Sequence, residues 1–269
     1  MEEKYCNIKG VNIFYRVNGV GEILLLIHGF GETGEIWNNI IAYLPENCKI
    51  IVPDLPGSGR SEILKHPLIS INDYAQIINH LINVELANQA DSPITIIGHS
   101  MGGYIALSYL DQFPKSVNRL GLFHSTAFAD SPDKIYTRKK AIEFIQQKGA
   151  NIFLKTTIID LFSKKSKTTI KNIINDLLEK GNKFSNESLI QYYKAMITRK
   201  DSIDLIKQAS IPFLFIIGEE DNAVPLDQSL IQCHLPVRSY VKILKDAGHM
   251  GMLEAPNETG KAIADFFKL

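Results

Sequence analysis

The chain has 269 residues, of which 45% are hydrophobic and 22% are charged, a composition typical of a globular protein and unlike that of a disordered chain. Its 29 basic and 29 acidic residues cancel, so no overall field favours binding to nucleic acid or to an anionic membrane. The longest apolar runs, Ile23–Ile27 and Ile211–Ile217, are much shorter than the roughly 18 residues needed to span a bilayer.

The cysteines and the N-terminus indicate the cellular compartment. Cys6, Cys48 and Cys233 are odd in number and widely spaced, which predicts neither a disulfide framework nor a zinc site. The first residues, Met1–Lys4, are not a basic segment followed by an apolar stretch, so we expect no secretory signal. Free thiols without an export signal favour a cytoplasmic protein.

Short apolar runs alternate with helical patterns along most of the chain. Runs rich in Ile, Val, Leu and Phe are typical of strands in a parallel sheet that is covered on both faces. In chain order the predicted strands are Ile13–Val17, Ile23–Ile27, Ile50–Val52, Ile94–Ile97, Leu120–Phe123, Phe213–Ile217 and Val241–Leu244. The predicted helices are Trp37–Leu44, Ile71–Ala90, Gly102–Phe113, Gln228–Leu235 and Glu258–Phe267. This alternation predicts an α/β sheet with helices on both faces.

One long stretch, from Ala127 to Ala209, breaks the alternation and predicts helices without a strand. Helix start and end signals occur there at Ser131, Gly149, Ser166, Gly181 and Ser185. We therefore expect a core of residues 1–126 and 210–269 and a separate helical unit of residues 127–209. Residues 130–209 include 16 basic and nine acidic side chains. This excess either holds the helical unit to the acidic remainder of the chain, attracts an anionic substrate, or only solvates the helices.

The motif that carries chemistry is Gly98-His99-Ser100-Met101-Gly102. It follows a predicted strand and precedes a predicted helix, the context in which G-x-S-x-G marks a nucleophile elbow. The turn is sharp, so small residues are needed two positions before and after the serine. The turn also places Ser100 at a helix N-terminus, where backbone N–H groups face a developing anion. We predict that Ser100 is a nucleophile.

A serine nucleophile needs a general base, and the base needs an orienting acid. His249 follows the last predicted strand, at the sheet edge where parallel sheets build their sites. His28 also ends a strand, and we expect it to support its loop. We expect His99 to point away from Ser100 and His124 to be structural.

The acid should come from the end of another strand. Asp221 lies just after the strand Phe213–Ile217 and is the preferred candidate. Asp246, three residues before His249, is a weaker rival. The predicted triad is therefore Ser100, Asp221 and His249, in that order along the chain.

These motifs resemble those of the α/β-hydrolase superfamily. The resemblance covers the whole chain and rests on His28-Gly29-Phe30-Gly31, Asp54 to Ser61, the Ser100 elbow, Gly218 to Asp221, and Gly248-His249. It implies a mostly parallel eight-stranded sheet flanked by helices, with an all-helical cap inserted after strand 6. It also implies an oxyanion hole formed by the backbone N–H groups of Phe30 and Met101.

The serine disfavours haloalkane dehalogenases and epoxide hydrolases, which use an aspartate in this superfamily. We expect a serine hydrolase of the carboxylesterase type that cleaves an ester or related acyl bond of a small, largely apolar substrate. No metal, cofactor, nucleic acid or membrane span is expected. Carbon–carbon bond hydrolases, cofactor-free haloperoxidases or perhydrolases, and slow-turnover receptors of this fold keep the same triad, so they remain alternatives.

Four further residues are candidates for the wall of the substrate pocket: Trp37, Phe128, Tyr192 and Met250. Apolar side chains near the motif loops suit an acyl site. Packing within the core explains the same residues equally well.

Overall fold

The computed structural model describes residues 1–66, 69–86 and 92–269. Its strands, in chain order, are β1 Glu2–Ile8, β2 Val11–Asn18, β3 Glu22–Ile27, β4 Cys48–Pro53, β5 Ile94–His99, β6 Val117–Phe123, β7 Phe213–Gly218 and β8 Ser239–Leu244. They form one sheet in the order β1-β2-β4-β3-β5-β6-β7-β8. The β1–β2 and β2–β4 pairs are antiparallel, and all the other pairs are parallel. The predicted fold class is confirmed.

Every predicted strand lies within an observed strand, and β1 is the strand that the apolar runs did not predict. Its sequence begins with Glu2, Glu3 and Lys4, which are largely exposed. The strand lies at the sheet edge and pairs with β2 alone. A strand that is half solvated carries no continuous apolar run, so its sequence gave little signal.

Helices cover the sheet and fill the stretch between β6 and β7. The α-helices are α1 Ile71–Glu85, α2 Met101–Gln112, α3 Pro132–Lys148, α4 Ala150–Thr157, α5 Ser166–Thr169, α6 Lys171–Gly181, α7 Asn186–Ile197, α8 Ile203–Gln208, α9 Leu226–Cys233, α10 Gly251–Glu254 and α11 Pro256–Phe267. Short 3₁₀-helices are formed by Gly34–Tyr43, Pro114–Ser116 and Ile158–Leu161. Among the residues that the structure describes, no helix has the length and apolar character needed to cross a membrane.

Three predicted helices differ from the observed ones in type, extent or continuity, and the others differ by at most two residues at an end. The predicted helix Trp37–Leu44 is a 3₁₀-helix that begins earlier, at Gly34. The predicted helix Ile71–Ala90 is observed up to Glu85, and its positions 87–90 lie outside the described residues. The stretch from Ser166 to Gly181 forms two helices, because Ile170 adopts φ −123° and ψ 38°, outside the helical range.

The stretch between β6 and β7 contains α3 to α8, which we call the helical insertion (Pro132–Gln208). The N–H of Ser202 donates to the carbonyl of Ala127 at 2.8 Å, so the two ends of the insertion lie side by side. Asp130 accepts from Arg138 at 2.6 Å and from Arg199 at 2.7 Å, and all three side chains are at least 88% buried. The two arginines are therefore not solvated surface residues. They join the first and the last part of the insertion.

The turn between β5 and α2 leaves no room for side chains at its glycines. A Cβ on Gly98 would overlap the carbonyl of Gly102, and a Cβ on Gly102 would overlap the carbonyl of Ile27 in β3. Backbone atoms cannot move aside as a flexible side chain can. The close approach of α2 to β3 and β5 therefore requires glycine at both positions.

The substitution Gly102→Ala should lower the free energy of unfolding by about 1–3 kcal/mol, because the added methyl group overpacks backbone against backbone. Gly181→Ala is the matched control, since its Cβ would meet only Leu154 and Ile158 side-chain atoms at 3.4 Å and beyond. Chemical denaturation of both variants checks this. Equal stability of the two variants would contradict the packing argument.

Candidate active site

Ser100 lies at the sharp turn between β5 and α2 with φ 50° and ψ −115°. A positive φ is unusual for a residue with a side chain. The surroundings hold it there. Its N–H donates to Phe123 O at 2.9 Å, and its carbonyl accepts from Gly103 N–H at 3.0 Å and from the Ser125 hydroxyl at 2.7 Å. A strained residue that is fixed on both backbone groups is a common feature of functional sites.

Asp221 and His249 follow β7 and β8 and meet at the carboxyl edge of the sheet. The Nδ1 of His249 donates to Asp221 Oδ2 at 2.8 Å, and both residues are buried. Asp221 Oδ1 accepts from the N–H groups of Ala223 at 2.8 Å and Val224 at 2.9 Å. Burial favours the neutral acid, but the imidazoles of His249 and His124, through their charge and their hydrogen bonds to the carboxylate, hold the pKa of Asp221 well below its usual range.

A second imidazole, His124, shares the same carboxylate oxygen. Its Nδ1 lies 3.0 Å from Asp221 Oδ2 and 3.2 Å from Gly218 N. The carboxylate is the stronger partner, so we assign the proton to Nδ1. Burial lowers the pKa of His124 to about 4, which makes it a neutral donor at pH 7. The sequence suggested only a structural role for His124, although its place at the end of β6, beside β7, was a signal.

The backbone N–H and carbonyl of His249 both form hydrogen bonds to residues outside its own loop. Its N–H donates to Leu161 O in the helical insertion at 2.7 Å. Its carbonyl accepts from His99 Nε2 at 2.9 Å. The carboxylate of Glu254 accepts from the N–H groups on either side, those of Gly248 at 2.9 Å and Met250 at 3.0 Å. The position of the imidazole is therefore set by the core and by the insertion together.

The structure brings Asp221 and His249 into contact, and it does not join Ser100 to them by a hydrogen bond. Within the described residues the Ser100 hydroxyl has no hydrogen-bond partner, and the residue is half-buried. Hydrogen bonds between a nucleophile and its base are often long before substrate binds. The role of Ser100 stays a prediction.

The loop of the predicted oxyanion hole is braced by His28. Its Nδ1 donates to Gly29 O at 2.8 Å, and its Nε2 accepts from the N–H of Leu55 at 2.9 Å. Burial lowers the pKa of His28, which keeps Nε2 free to accept. Met101 is the first residue of α2, whose early N–H groups lack acceptors within the helix. The donor roles of Phe30 and Met101 stay predictions.

The predicted pocket residues differ in their surroundings. Tyr192 lies beside Phe30, with ring centroids 6.2 Å apart, and donates its hydroxyl to Pro56 O. Trp37 packs against Phe123 and His99 and is fully buried, as expected of a core residue. Met250 is also fully buried, and Phe128 is half-buried, with its carbonyl accepting from Arg199. Their contact with substrate stays a prediction.

Among the described residues, His124, Asp221 and His249 are the one group with the donor set of a metal site, their ligand atoms lying within 4.8 Å of one another. Both Nδ1 atoms are already directed at Asp221 Oδ2. The hydrogen bonds account for these atoms, so the geometry is that of a polar network.

Comparison with known proteins agrees with this architecture. Residues 22–140 match a family model described as the alpha/beta hydrolase fold. An uncharacterized protein from Mycobacterium tuberculosis is 34% identical over 117 residues, which are 44% of this chain and only 33% of that protein. A monoacylglycerol lipase from Mus musculus is 24% identical over 255 residues, covering 90% of this chain and 74% of the lipase.

A solved structure is similar in fold over the full length of this chain. An esterase from Thermogutta terrifontis superposes with a TM-score of 0.91 at 23% identity, covering 100% of this chain and 98% of the esterase. The matched family model, the sheet order and this superposition agree. They confirm the predicted resemblance at the level of the fold: the chain has the alpha/beta hydrolase fold.

Proposed function

We propose that this protein is a serine hydrolase that cleaves an ester, or a related acyl bond, of a small and largely apolar substrate. The observation that carries the proposal is the buried contact between Asp221 and His249, formed at the sheet edge next to the turn that bears Ser100. A carboxylate on Nδ1 fixes the tautomer in which Nε2 accepts a proton.

The proposed reaction begins when Ser100 Oγ attacks the substrate carbonyl carbon and His249 Nε2 takes the hydroxyl proton. The backbone N–H groups of Phe30 and Met101 stabilise the oxyanion. His249 then gives the proton to the leaving alcohol oxygen as the acyl–oxygen bond breaks, which leaves an acyl-enzyme on Ser100. A water molecule, deprotonated by His249, attacks the acyl carbon and releases the acid.

We infer that residues 127–209 act as a cap over this site. The insertion contacts the oxyanion loop, because the Phe30 ring stacks on Tyr193 at 4.3 Å and meets the edge of Phe153 at 6.3 Å. It contacts the base loop through Leu161 O and His249 N–H. An aromatic cover above Phe30 favours an apolar acyl group, since burial of apolar surface supplies most of the binding energy.

The names of two relatives, a monoacylglycerol lipase and an esterase, favour a carboxylic ester as the bond cleaved. No metal or organic cofactor has a step in this mechanism. The three cysteines are free and buried, as is typical of a protein in a reducing compartment. We therefore propose a cytoplasmic carboxylic ester hydrolase.

Ser100→Ala should abolish covalent labelling by a fluorophosphonate probe and lower kcat on p-nitrophenyl esters by about 10⁴-fold or more, because no other group can form the acyl-enzyme. Wild-type protein should turn over its best ester at about 1–10³ s⁻¹. Ser108→Ala, a change on the same helix at a hydroxyl that bonds Asn72, is the control and should keep both properties. Label found on another residue, or labelling without repeated turnover, would contradict the proposal, and the second result would favour a receptor of this fold.

Asp221→Asn should lower kcat by about 10⁴-fold, because an amide no longer fixes the His249 tautomer. It should also change the response to acid. The folded pKa of Asp221 is depressed, so its contribution to stability is present above the unfolded value of about 3.9 and is lost as the pH falls towards the folded value. The free energy of unfolding, measured between pH 7 and pH 3, should decrease less in the variant. An identical decrease in both proteins would show that the carboxylate is not stabilised as described.

A further inference from the structure

Glu32 and His99 form a buried ion pair that the proposed triad does not use. Glu32 Oε2 lies 3.0 Å from His99 Nδ1, and the two side chains are 5% and 0% exposed. Glu32 is in the loop after β3, and His99 is the last residue of β5, directly before Ser100. Burying two ionisable groups costs desolvation free energy. The contacts that the pair makes therefore indicate its role.

The partners of His99 fix its protonation state. Nδ1 faces a carboxylate and Nε2 faces the carbonyl of His249. Both partners only accept hydrogen bonds, so each ring nitrogen must carry a proton and the ring is an imidazolium. Burial opposes this charge, but the Glu32 carboxylate outweighs it and raises the pKa of His99 above its ordinary value. Burial likewise favours a neutral Glu32, yet His99 keeps the pKa of Glu32 below its ordinary value.

The pair connects two loops of the proposed active site. At one end, Glu32 Oε2 accepts from the N–H of Gly29 at 2.7 Å, one residue before Phe30. At the other end, His99 holds the His249 carbonyl at 2.9 Å. Gly29 packs tightly against this pair and against Ser100. A Cβ on Gly29 would lie 3.1 Å from Glu32 Oε2, from His99 Nδ1 and from Ser100 Cβ. The pair is therefore packed directly behind the nucleophile.

We propose that Glu32 and His99 are positioning residues: their ion pair sets the distance between the oxyanion loop at Phe30 and the general base His249. This inference rests on the proposed hydrolase function. Neither residue is assigned a contact with substrate. The pair acts by fixing the backbone on both sides of Ser100, and small displacements of reacting groups are costly in rate.

Other titratable groups also face His99, each from a strand end packed against it. They are Asp221 after β7, His124 after β6, His249 after β8 and His28 after β3. None of these four groups both carries a negative charge and forms a side-chain hydrogen bond to the His99 ring, as Glu32 does. Removing its charge should therefore release the second proton of His99.

Glu32→Gln is the test, because the amide oxygen can still accept from Gly29 N–H but no longer stabilises an imidazolium. With one N–H, His99 can no longer donate to both partners. We expect kcat on a p-nitrophenyl ester to fall by about 10²-fold, with KM close to that of wild-type protein. The exposed Glu46→Gln is the matched control and should leave both constants unchanged. A kcat within about twofold of wild type, or a loss in KM alone, would overturn the proposal.

A second measurement does not depend on activity. In wild-type protein labelled with ¹⁵N-histidine, a pH titration followed by NMR should show one imidazole that keeps both nitrogens protonated above the pH at which exposed histidines lose their second proton. His99→Gln should assign that signal by removing it. A neutral His99 in wild-type protein would overturn the inference. Wild-type protein that shows the imidazolium but neither labels at Ser100 nor turns over ester would refute the hydrolase function and, with it, the positioning role, while leaving the ion pair established.

Discussion

The turn at Ser100 is the constraint on which the rest of the site depends. It reverses the chain from β5 into α2 within one residue. The carbonyl of Gly102 occupies the place of a side chain at Gly98, and the carbonyl of Ile27 occupies the place of a side chain at Gly102. This close packing fixes Ser100 against β3, whose following loop carries Phe30. His99, the residue before Ser100, is bonded to Glu32 of the same loop.

The polar groups at this edge of the sheet form a connected set. Asp221 accepts from two imidazoles, and His249 is held through its side chain and through both of its backbone groups. Buried hydrogen-bonded groups favour one arrangement, because a displaced partner would leave a buried group unpaired. The helical insertion takes part through the carbonyl of Leu161, so the placement of His249 and the placement of the insertion are coupled.

The sequence predicted those parts of the structure that depend on local patterns. Continuous apolar runs predicted the central strands, and the G-x-S-x-G motif predicted the turn at Ser100. Asp221 and His249 were predicted from their positions just after strands. The solvated edge strand β1 carried no such run. The contacts of His99 with Glu32 and with His249 could not be predicted, because each contact joins residues that are 67 or more positions apart in the chain.

The contacts of long side chains also could not be predicted from the sequence. Arg138 and Arg199 are spaced like surface residues of helices, and only the fold brings both onto Asp130. Trp37 and Met250 were candidates for the pocket because they lie near motif loops, yet the contacts of Trp37 are with core rings. Proximity in sequence to a catalytic motif does not decide whether an apolar side chain faces the substrate or the core.

A mechanism through Ser100 is tested most directly by the mass of the intact protein during turnover of a p-nitrophenyl ester, stopped rapidly with acid. We expect a transient adduct equal in mass to the acyl group, located on the peptide that contains Ser100, and a burst of nitrophenol that matches it. An adduct located on another residue would contradict a mechanism through Ser100.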